Sequence, residues 1–346
     1  MPRVLVVATS RKTRGGITSV VKAHETGKQW KKYHCVWIET HRDGNSLQKI
    51  CYFISGLLQF LVFLPFVDIV HIHIAAVIRK MPFVFLAKFF RKKLIVHMHF
   101  PGIETTLEDK RLSPRYGWCI RKADVCIALS YTWKKLIEEY YHVGNVRVLY
   151  NPCPSVNRIP YSDREKYILF AGTVSQRKGN QDLVAAFAKI ASKYPDWKIR
   201  IAGNGDIEGG IKQAKELGVS NQIEYLGWIS GTAKDLLFRR SAVYCLPSYA
   251  EGFPMSVLDA WAYGTPVITT PVGGIPDVAK DGINMMLFEP GDISKLSEKI
   301  DELLSDSALR EKIAKESCVL ADYTFNINTI TQQLGELYKN LSHANE

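Results

Sequence analysis

Lys166–Ala202 reads KYILFAGTVSQRKGNQDLVAAFAKIASKYPDWKIRIA, and its rhythm decides the fold. Tyr167–Ala171 is a short apolar run of the kind that buried strands carry. A loop with Gly172, Arg177, Lys178 and Gly179 follows, and Gln181–Lys193 then spaces its apolar residues for a helix. Trp197–Ala202 is a second strand. Strand, helix and strand in this order predict a parallel βαβ unit. The rhythm runs on through helix Ile211–Leu217, strand Ile223–Leu226, helix Ala233–Arg240, strand Ala242–Leu246, helix Ser256–Tyr263 and strand Pro266–Thr269. Upstream it is present again, with strands at Val4–Ala8, Asp68–Ile74, Lys93–His99, Val125–Leu129 and Val146–Tyr150. Between the halves lies Asn151–Pro160, NPCPSVNRIP, whose prolines mark a linker. The expectation is an α/β chain of two doubly wound, Rossmann-like domains facing across a cleft, since open α/β sheets bind ligands beyond the carboxyl ends of their strands.

The 346 residues suffice for two such domains, and 47% hydrophobic with 23% charged residues reads as globular. Residues 1–150 carry 24 Lys+Arg against 10 Asp+Glu, a net of +14, whereas residues 151–346 carry 21 against 24, a net of −3. So basic a first half points to a polyanion: nucleic acid, an anionic membrane surface or a phosphate-bearing lipid. The basic residues form no nucleic-acid-binding module, so no nucleic-acid partner is expected. The start lacks the apolar region and cleavage site of a signal peptide, and the seven scattered cysteines read as reduced core residues of a cytoplasmic protein. Ile50–Val67, ICYFISGLLQFLVFLPFV, has no formal charge over 18 residues and predicts a helix buried in its domain, with an edge open to lipid, rather than a span. Met81–Lys93 is aromatic with Lys88, Arg91, Lys92 and Lys93 near its end, which suits either an interfacial helix on an anionic membrane or a core helix whose basic end complements its dipole.

The chemistry concentrates in Pro247–Ala279, PSYAEGFPMSVLDAWAYGTPVITTPVGGIPDVA. Glu251 and Asp259 are eight apart, about 2.2 helical turns, which expects both carboxylates near one helix face. Gly252-Phe253-Pro254 leads into the helix, whose first amides can face an anion or a sugar hydroxyl. In the loop after Phe170, backbone amides with Arg177 and Lys178 can clamp a diphosphate.

Pro247-Ser248, Glu251-Gly252-Phe253, Asp259, Gly264-Thr265-Pro266-Val267 and Gly273-Gly274-Ile275-Pro276-Asp277 together resemble the signature of glycosyltransferase family 4, retaining enzymes of GT-B fold. The resemblance implies domains at 1–155 for the acceptor and 156–324 for the nucleotide sugar, with 325–346 a helix crossing back to the first. It implies that Glu251 and the backbone of Gly252, Phe253, Pro254 and Met255 hold the donor sugar. The ribose would fall to Asp259, where most members have Glu, and the diphosphate to Lys178 with Arg177. Thr173 stands where the family carries arginine. Gly203 and Gly205 resemble a loop lining the cleft, Gly227 lies in a loop similar to the one that holds the base, and Gly15-Gly16 resembles the glycine loop beneath the donor phosphates. His97-Met98-His99-Phe100-Pro101-Gly102 resembles a family motif in which His99 contacts the donor sugar; His71, His73 and His97 read as core residues. Arg79-Lys80 resembles a pair found in polysaccharide-assembly members and, with Arg11, Lys12 and Arg14, implies a site for acceptor phosphates.

What the resemblance implies is a metal-independent hexosyltransferase with His99, Lys178 and Glu251 as its catalytic residues. Its donor would be a nucleotide sugar, UDP favoured. The basic first half and the aromatic, basic Met81–Lys93 add the expectation of a glycan or polyprenyl-diphosphate-linked acceptor, with the protein cytoplasmic and peripheral on the inner membrane face. The nucleotide sugar is a substrate, and no cofactor is implied. No Asp-x-Asp occurs, and no acid or cysteine at ligand spacing turns the histidines into a metal site, so no metal is expected. Two other readings stay open: a non-catalytic partner protein of the same fold, and a transferase acting on a soluble small molecule. A Rossmann oxidoreductase is disfavoured, because Ala8–Gly16 is not GxGxxG.

Overall fold

The continuous apolar runs form parallel strands covered on both faces, as parallel sheets require. The computed structural model describes residues 2–100 and 102–343. Pro101 of the His97–Gly102 motif, Met1 and the last three residues of the expected terminal helix lie outside the described residues. The chain divides into two units, Met1–Pro152 with Ile327–Glu346, and Cys153–Asn326.

In chain order the first unit has β1 (Val4–Ala8), α1 (Gly16–Thr26), α2 (Lys28–Lys32), β2 (Val36–Glu39), α3 (Ser46–Phe63), β3 (Ile69–Ile74), α4 (Val77–Phe89), β4 (Lys93–Met98), α5 (Ile103–Glu108), α6 (Ser113–Lys122), β5 (Val125–Ala128), α7 (Tyr131–Tyr141) and β6 (Val146–Val148). The second has β7 (Glu165–Ala171), α8 (Asn180–Ala188), β8 (Lys198–Ala202), α9 (Ile207–Glu216), β9 (Ile223–Gly227), α10 (Gly231–Arg240), β10 (Ser241–Leu246), α11 (Met255–Ala262), β11 (Val267–Thr269), β12 (Met286–Leu287), α12 (Ile293–Ser305) and α13 (Ser307–Val319). The last helix, α14 (Ile327–His343), belongs to the first unit. Its Ile330, Leu334, Tyr338 and Leu341 share one stripe and pack with Val4, Val6, Tyr33 and Trp37.

The first sheet runs β2-β1-β3-β4-β5-β6 and the second β12-β11-β10-β7-β8-β9, all parallel. Each chain path starts inside its sheet, winds outward to one side, then returns and winds to the other. The reversal falls between β1 and β3 in the first sheet and between β7 and β10 in the second. Crevices at such points are where open α/β sheets receive ligands.

Two expectations change, and one strand leaves no signal in the sequence. Strand β2 went unread, because Val36–Glu39 is too short to show a period. The helix expected over Gln181–Lys193 ends at Ala188, and Ala191–Lys193 makes a separate tight turn. The apolar helix α3 is not buried: of its 18 residues only Gly56 and Phe60 are. Cys51 on it is exposed, unlike the core cysteines Cys119, Cys126, Cys153 and Cys245.

Candidate functional site

At the reversal of the second sheet the loops after β7 and β10 meet. Gln176–Lys178 is a single tight turn closed by Gly179 in the left-handed region, φ +68°. A side chain there would place its first carbon 1.9 Å from the Pro247 carbonyl oxygen, so only glycine lets the two loops approach. Tyr249 donates its backbone N–H to the Arg177 carbonyl at 2.8 Å, and the Arg177 guanidinium donates to the Ala250 carbonyl at 2.7 Å. Arg177 therefore braces the β10 loop, a role its charge alone did not suggest.

With the loops fixed, Lys178 Nζ stands 2.5 Å from Glu251 Oε1, and the Ser248 hydroxyl donates to the same oxygen at 2.6 Å. Both charged side chains are largely buried, at 14% and 8% exposure, which strengthens their attraction and makes either one costly to leave alone. The loop is anchored from below: Phe253 is buried against Phe325 and Trp261. Gly252 and Phe253 thus leave backbone beside the Glu251 carboxylate. Gly273, φ +65°, closes the far side, where an added carbon would lie 2.3 Å from the Gly252 carbonyl oxygen, and Gly274 donates to that same oxygen at 2.7 Å.

The second acid sits differently from the helical expectation. Glu251 precedes α11, which begins only at Met255, so the eight-residue spacing does not put the carboxylates on one helix face. Asp259 is buried in α11 and is held by Lys234 of α10, Nζ to Oδ2 2.6 Å. Burial pushes its carboxyl up from the ordinary range, and the Lys234 ammonium opposes that shift. Lys234 was missed in the sequence. Its partner is 25 positions away on another helix, and a lone lysine on an exposed helix carries no signal.

The neighbouring loops are stitched to this centre. Val174 N–H donates to Asn204 O at 2.7 Å, Gly172 N–H to Ala202 O at 2.9 Å and Gly203 N–H to Gly227 O at 2.8 Å. Gly172, Gly203, Gly205 and Gly227 therefore line one carboxyl edge, with Thr173 and Trp228 exposed beside them. Of the residues expected to hold the donor, those from Gly172 to Asp259 lie together in this unit. Pro254 is buried and Met255 half-buried where α11 begins.

The remaining candidates lie in the first unit. Gly15 precedes α1, which opens at Gly16. His99, half-buried, shares a bond with His73, Nε2 to Nδ1 2.9 Å. His73 stacks on His71 and His99, and His71 is bonded through Nδ1 to the Tyr338 hydroxyl at 2.8 Å and through Nε2 to His97 Nδ1 at 3.3 Å. His24 of α1 stacks on His97, a fifth ring the sequence did not place. Burial holds all five imidazoles neutral: His99 is pushed down to about 3, His24 to about 4, and the other three well below the usual histidine range. Ring nitrogens of His71, His73 and His97 lie within 4.8 Å of one another. Their planes are inclined by 9–31°, and His71 Nε2 is turned to His97 Nδ1, so these two nitrogens are engaged with each other.

The expected acceptor cluster is divided. Arg11 is bound to Glu25 at 2.7 Å and Glu39 at 3.4 Å and lies over the Trp37 ring. Lys80 is not on the surface. It is buried with its ammonium on the Thr40 hydroxyl, and burial lowers it to about 7. Arg79 is exposed and reaches His41 Nδ1 at 3.1 Å. The Arg14 backbone donates to Asp43 at 3.0 Å, and Lys12 is exposed beside it.

Residues 156–317 match the family model described as glycosyl transferases group 1. An uncharacterized glycosyltransferase of Methanocaldococcus jannaschii is 30% identical over 182 residues, covering 52% of this chain and 46% of that protein. The N-acetyl-alpha-D-glucosaminyl L-malate synthase of Bacillus anthracis is 28% identical over 287 residues, 78% of this chain and 74% of that one. Among solved structures, Anabaena HepE in complex with UDP superposes with a TM-score of 0.78 at 17% identity, covering 98% of this chain and all of that one. The chain spans about half the length of the first two curated relatives it matches, 46% and 58%. The match to the group 1 glycosyl transferase model falls within the second unit, and the chain as a whole carries the two-sheet GT-B fold.

Proposed function

We propose that the chain is a retaining, metal-independent glycosyltransferase of the family 4 type. Its donor is a nucleoside diphosphate sugar, UDP-linked by preference, and its acceptor a polyprenyl-diphosphate-linked glycan of cell-surface polysaccharide synthesis. The observation that carries the reading is the buried pair Lys178–Glu251 at the strand-order reversal of the second sheet, with Asp259–Lys234 beside it. A cation for a diphosphate and a carboxylate for a sugar stand in contact there. An arriving diphosphate competes for the Lys178 ammonium and releases Glu251 to accept from sugar hydroxyls. Asp259 accepts from the ribose hydroxyls, with Lys234 keeping it charged. The first amides of α11 face the sugar. HepE, which has the same fold, is known in complexes with UDP and with UDP and glucose, and that supports a uridine donor.

Transfer forms the bond from the acceptor oxygen to the sugar's anomeric carbon as the bond to the diphosphate breaks. The acceptor proton passes to the departing phosphate oxygen. The protein's part is to position the two partners and to stabilise charge on the leaving group, which Lys178 does. His99, neutral at physiological pH and oriented by His73, serves a sugar hydroxyl as a hydrogen-bond partner rather than as an acid. The Bacillus anthracis relative, whose name contains L-malate, favours a second reading in which the acceptor is a small soluble molecule.

A thermal-shift screen of nucleotide sugars tests the donor. A UDP-sugar at a hundredfold excess over its dissociation constant stabilises the fold by about 2.7 kcal/mol. No shift with any nucleotide sugar, and no donor hydrolysis, sinks the reading in favour of a non-catalytic partner. The anomeric configuration of the product, read by NMR, decides retention.

A further inference from the structure

We infer that α3 and α4 form a docking surface for an anionic lipid bilayer, on which the first unit lies without crossing it. Leu47, Ile50, Ile54, Leu58 and Val62 recur every three or four residues along α3 and all face outward, with Leu47, Leu58 and Val62 60–70% exposed. The opposite side of α3 is the anchored one: Gly56 and Phe60 are buried, and Phe60 meets Phe83 of α4 edge-on at 5.1 Å. That contact sets α4 beside α3, where Ile78, Phe85 and Phe89 make a second exposed stripe. Soluble monomers rarely leave contiguous apolar surface beyond roughly 300–600 Å². Two helices bearing exposed stripes of large side chains exceed the reason for a scattered residue.

Ser46–Phe66 is long and apolar enough to span a bilayer, but the fold forbids it. The strand before it, β2, and the strand after it, β3, flank β1 in one sheet. Midway along α3, a carbon added at Gly56 would lie 2.7 Å from the Glu39 carbonyl oxygen at the end of β2. A helix whose ends both return to one sheet, and whose middle rests on it, lies in an interface plane.

Charge selects the occupant. Residues 45–93 carry seven Lys+Arg and a single acid, Asp68, whose carboxylate accepts from the Arg3 backbone. Lys88 and Lys93 share Asp124, whereas Arg91 and Lys92 follow the exposed Phe89 and Phe90, and Lys92 Nζ reaches the Pro65 carbonyl at 3.4 Å next to the exposed Phe66. Aromatic rings with cations at their edge fit the boundary between acyl chains and anionic headgroups. A second copy of the chain would instead bring the same cations into one interface.

Flotation of the full chain with mixed phosphatidylcholine–phosphatidylglycerol vesicles at roughly 0.15 M salt tests this. Cys51, exposed on the apolar stripe, takes an environment-sensitive fluorophore that reports insertion. The native chain floats and the fluorophore shifts to the blue. Leu58→Glu lowers vesicle binding at least roughly tenfold, and Arg91→Gln lowers it roughly fivefold, with circular dichroism and melting unchanged. No flotation, or equal flotation of Leu58→Glu, overturns the inference. So does a dimer that Leu58→Glu dissolves without any vesicle binding, since a second copy then covers the surface. Flotation requires no nucleotide sugar, so its failure leaves the donor reading standing.

Discussion

The two units bury polar side chains by opposite means. In the first, histidines are buried uncharged: five imidazoles from α1, β3, β4 and the β4 loop stack and bond to one another, and the Nε2 atoms of His24, His73 and His97 find no hydrogen-bond partner among the described residues. The second unit, residues 153–326, contains no histidine and sets buried carboxylates against cations instead, Glu251 on Lys178 and Asp259 on Lys234. A neutral stack is a rigid platform that stays inert at physiological pH. A buried ion pair is a site in waiting, because a ligand can take over either partner. On the function proposed above, the second unit offers the donor charges and the first offers it a neutral ring, His99.

Acid should break the comparison most strongly. The unfolded chain binds protons with ordinary histidine affinity, while the folded stack does not. Stability of the first unit is therefore full above about pH 6.5 and falls as pH drops, by on the order of 3 kcal/mol at pH 4 for His24 alone. Unfolding followed by circular dichroism across this range should lose the first unit first, and a pH-independent melt above pH 4 would contradict the neutral stack. Removing one charge from the second unit comes next. Lys178→Ala leaves Glu251 buried without a counter-charge, on the Ser248 hydroxyl, costs about 3–5 kcal/mol and lowers transfer by about two orders of magnitude. The double variant with Glu251→Gln should recover most of the stability and none of the transfer.

Smaller effects sharpen the picture. Gly273→Ala forces the left-handed backbone and presses on the Gly252 carbonyl, for about 1–3 kcal/mol seen as a lowered melting temperature. Lys234→Ala removes the ammonium that opposes the effect of burial on Asp259. Nucleotide affinity should fall about tenfold, the loss of one charge-assisted hydrogen bond, and the fall should steepen toward acid pH, as titration calorimetry at two pH values would report.

The alternation of strands and helices made the two sheets legible, because parallel strands covered on both faces are continuous apolar runs. Lys178, Glu251 and the glycine loops were legible as a local pattern. The pairing of Asp259 with Lys234 was not, because it joins two helices through the fold and leaves no spacing in the sequence. His24 escaped for the same reason: one histidine on a helix is silent until β3 and β4 bring their alternating histidines beneath it. The α3 helix misled in the other direction. Its composition reads as core, and only the sheet shows that one thin side, Gly56 and Phe60, faces inward.

Calorimetric titration of UDP into the native chain and into Lys178→Ala tests the central claim most directly. The account predicts one UDP per chain and an affinity at least tenfold weaker in the variant, as befits loss of a buried charge-assisted contact. Equal affinity in both chains, or no binding to the native one, would contradict it.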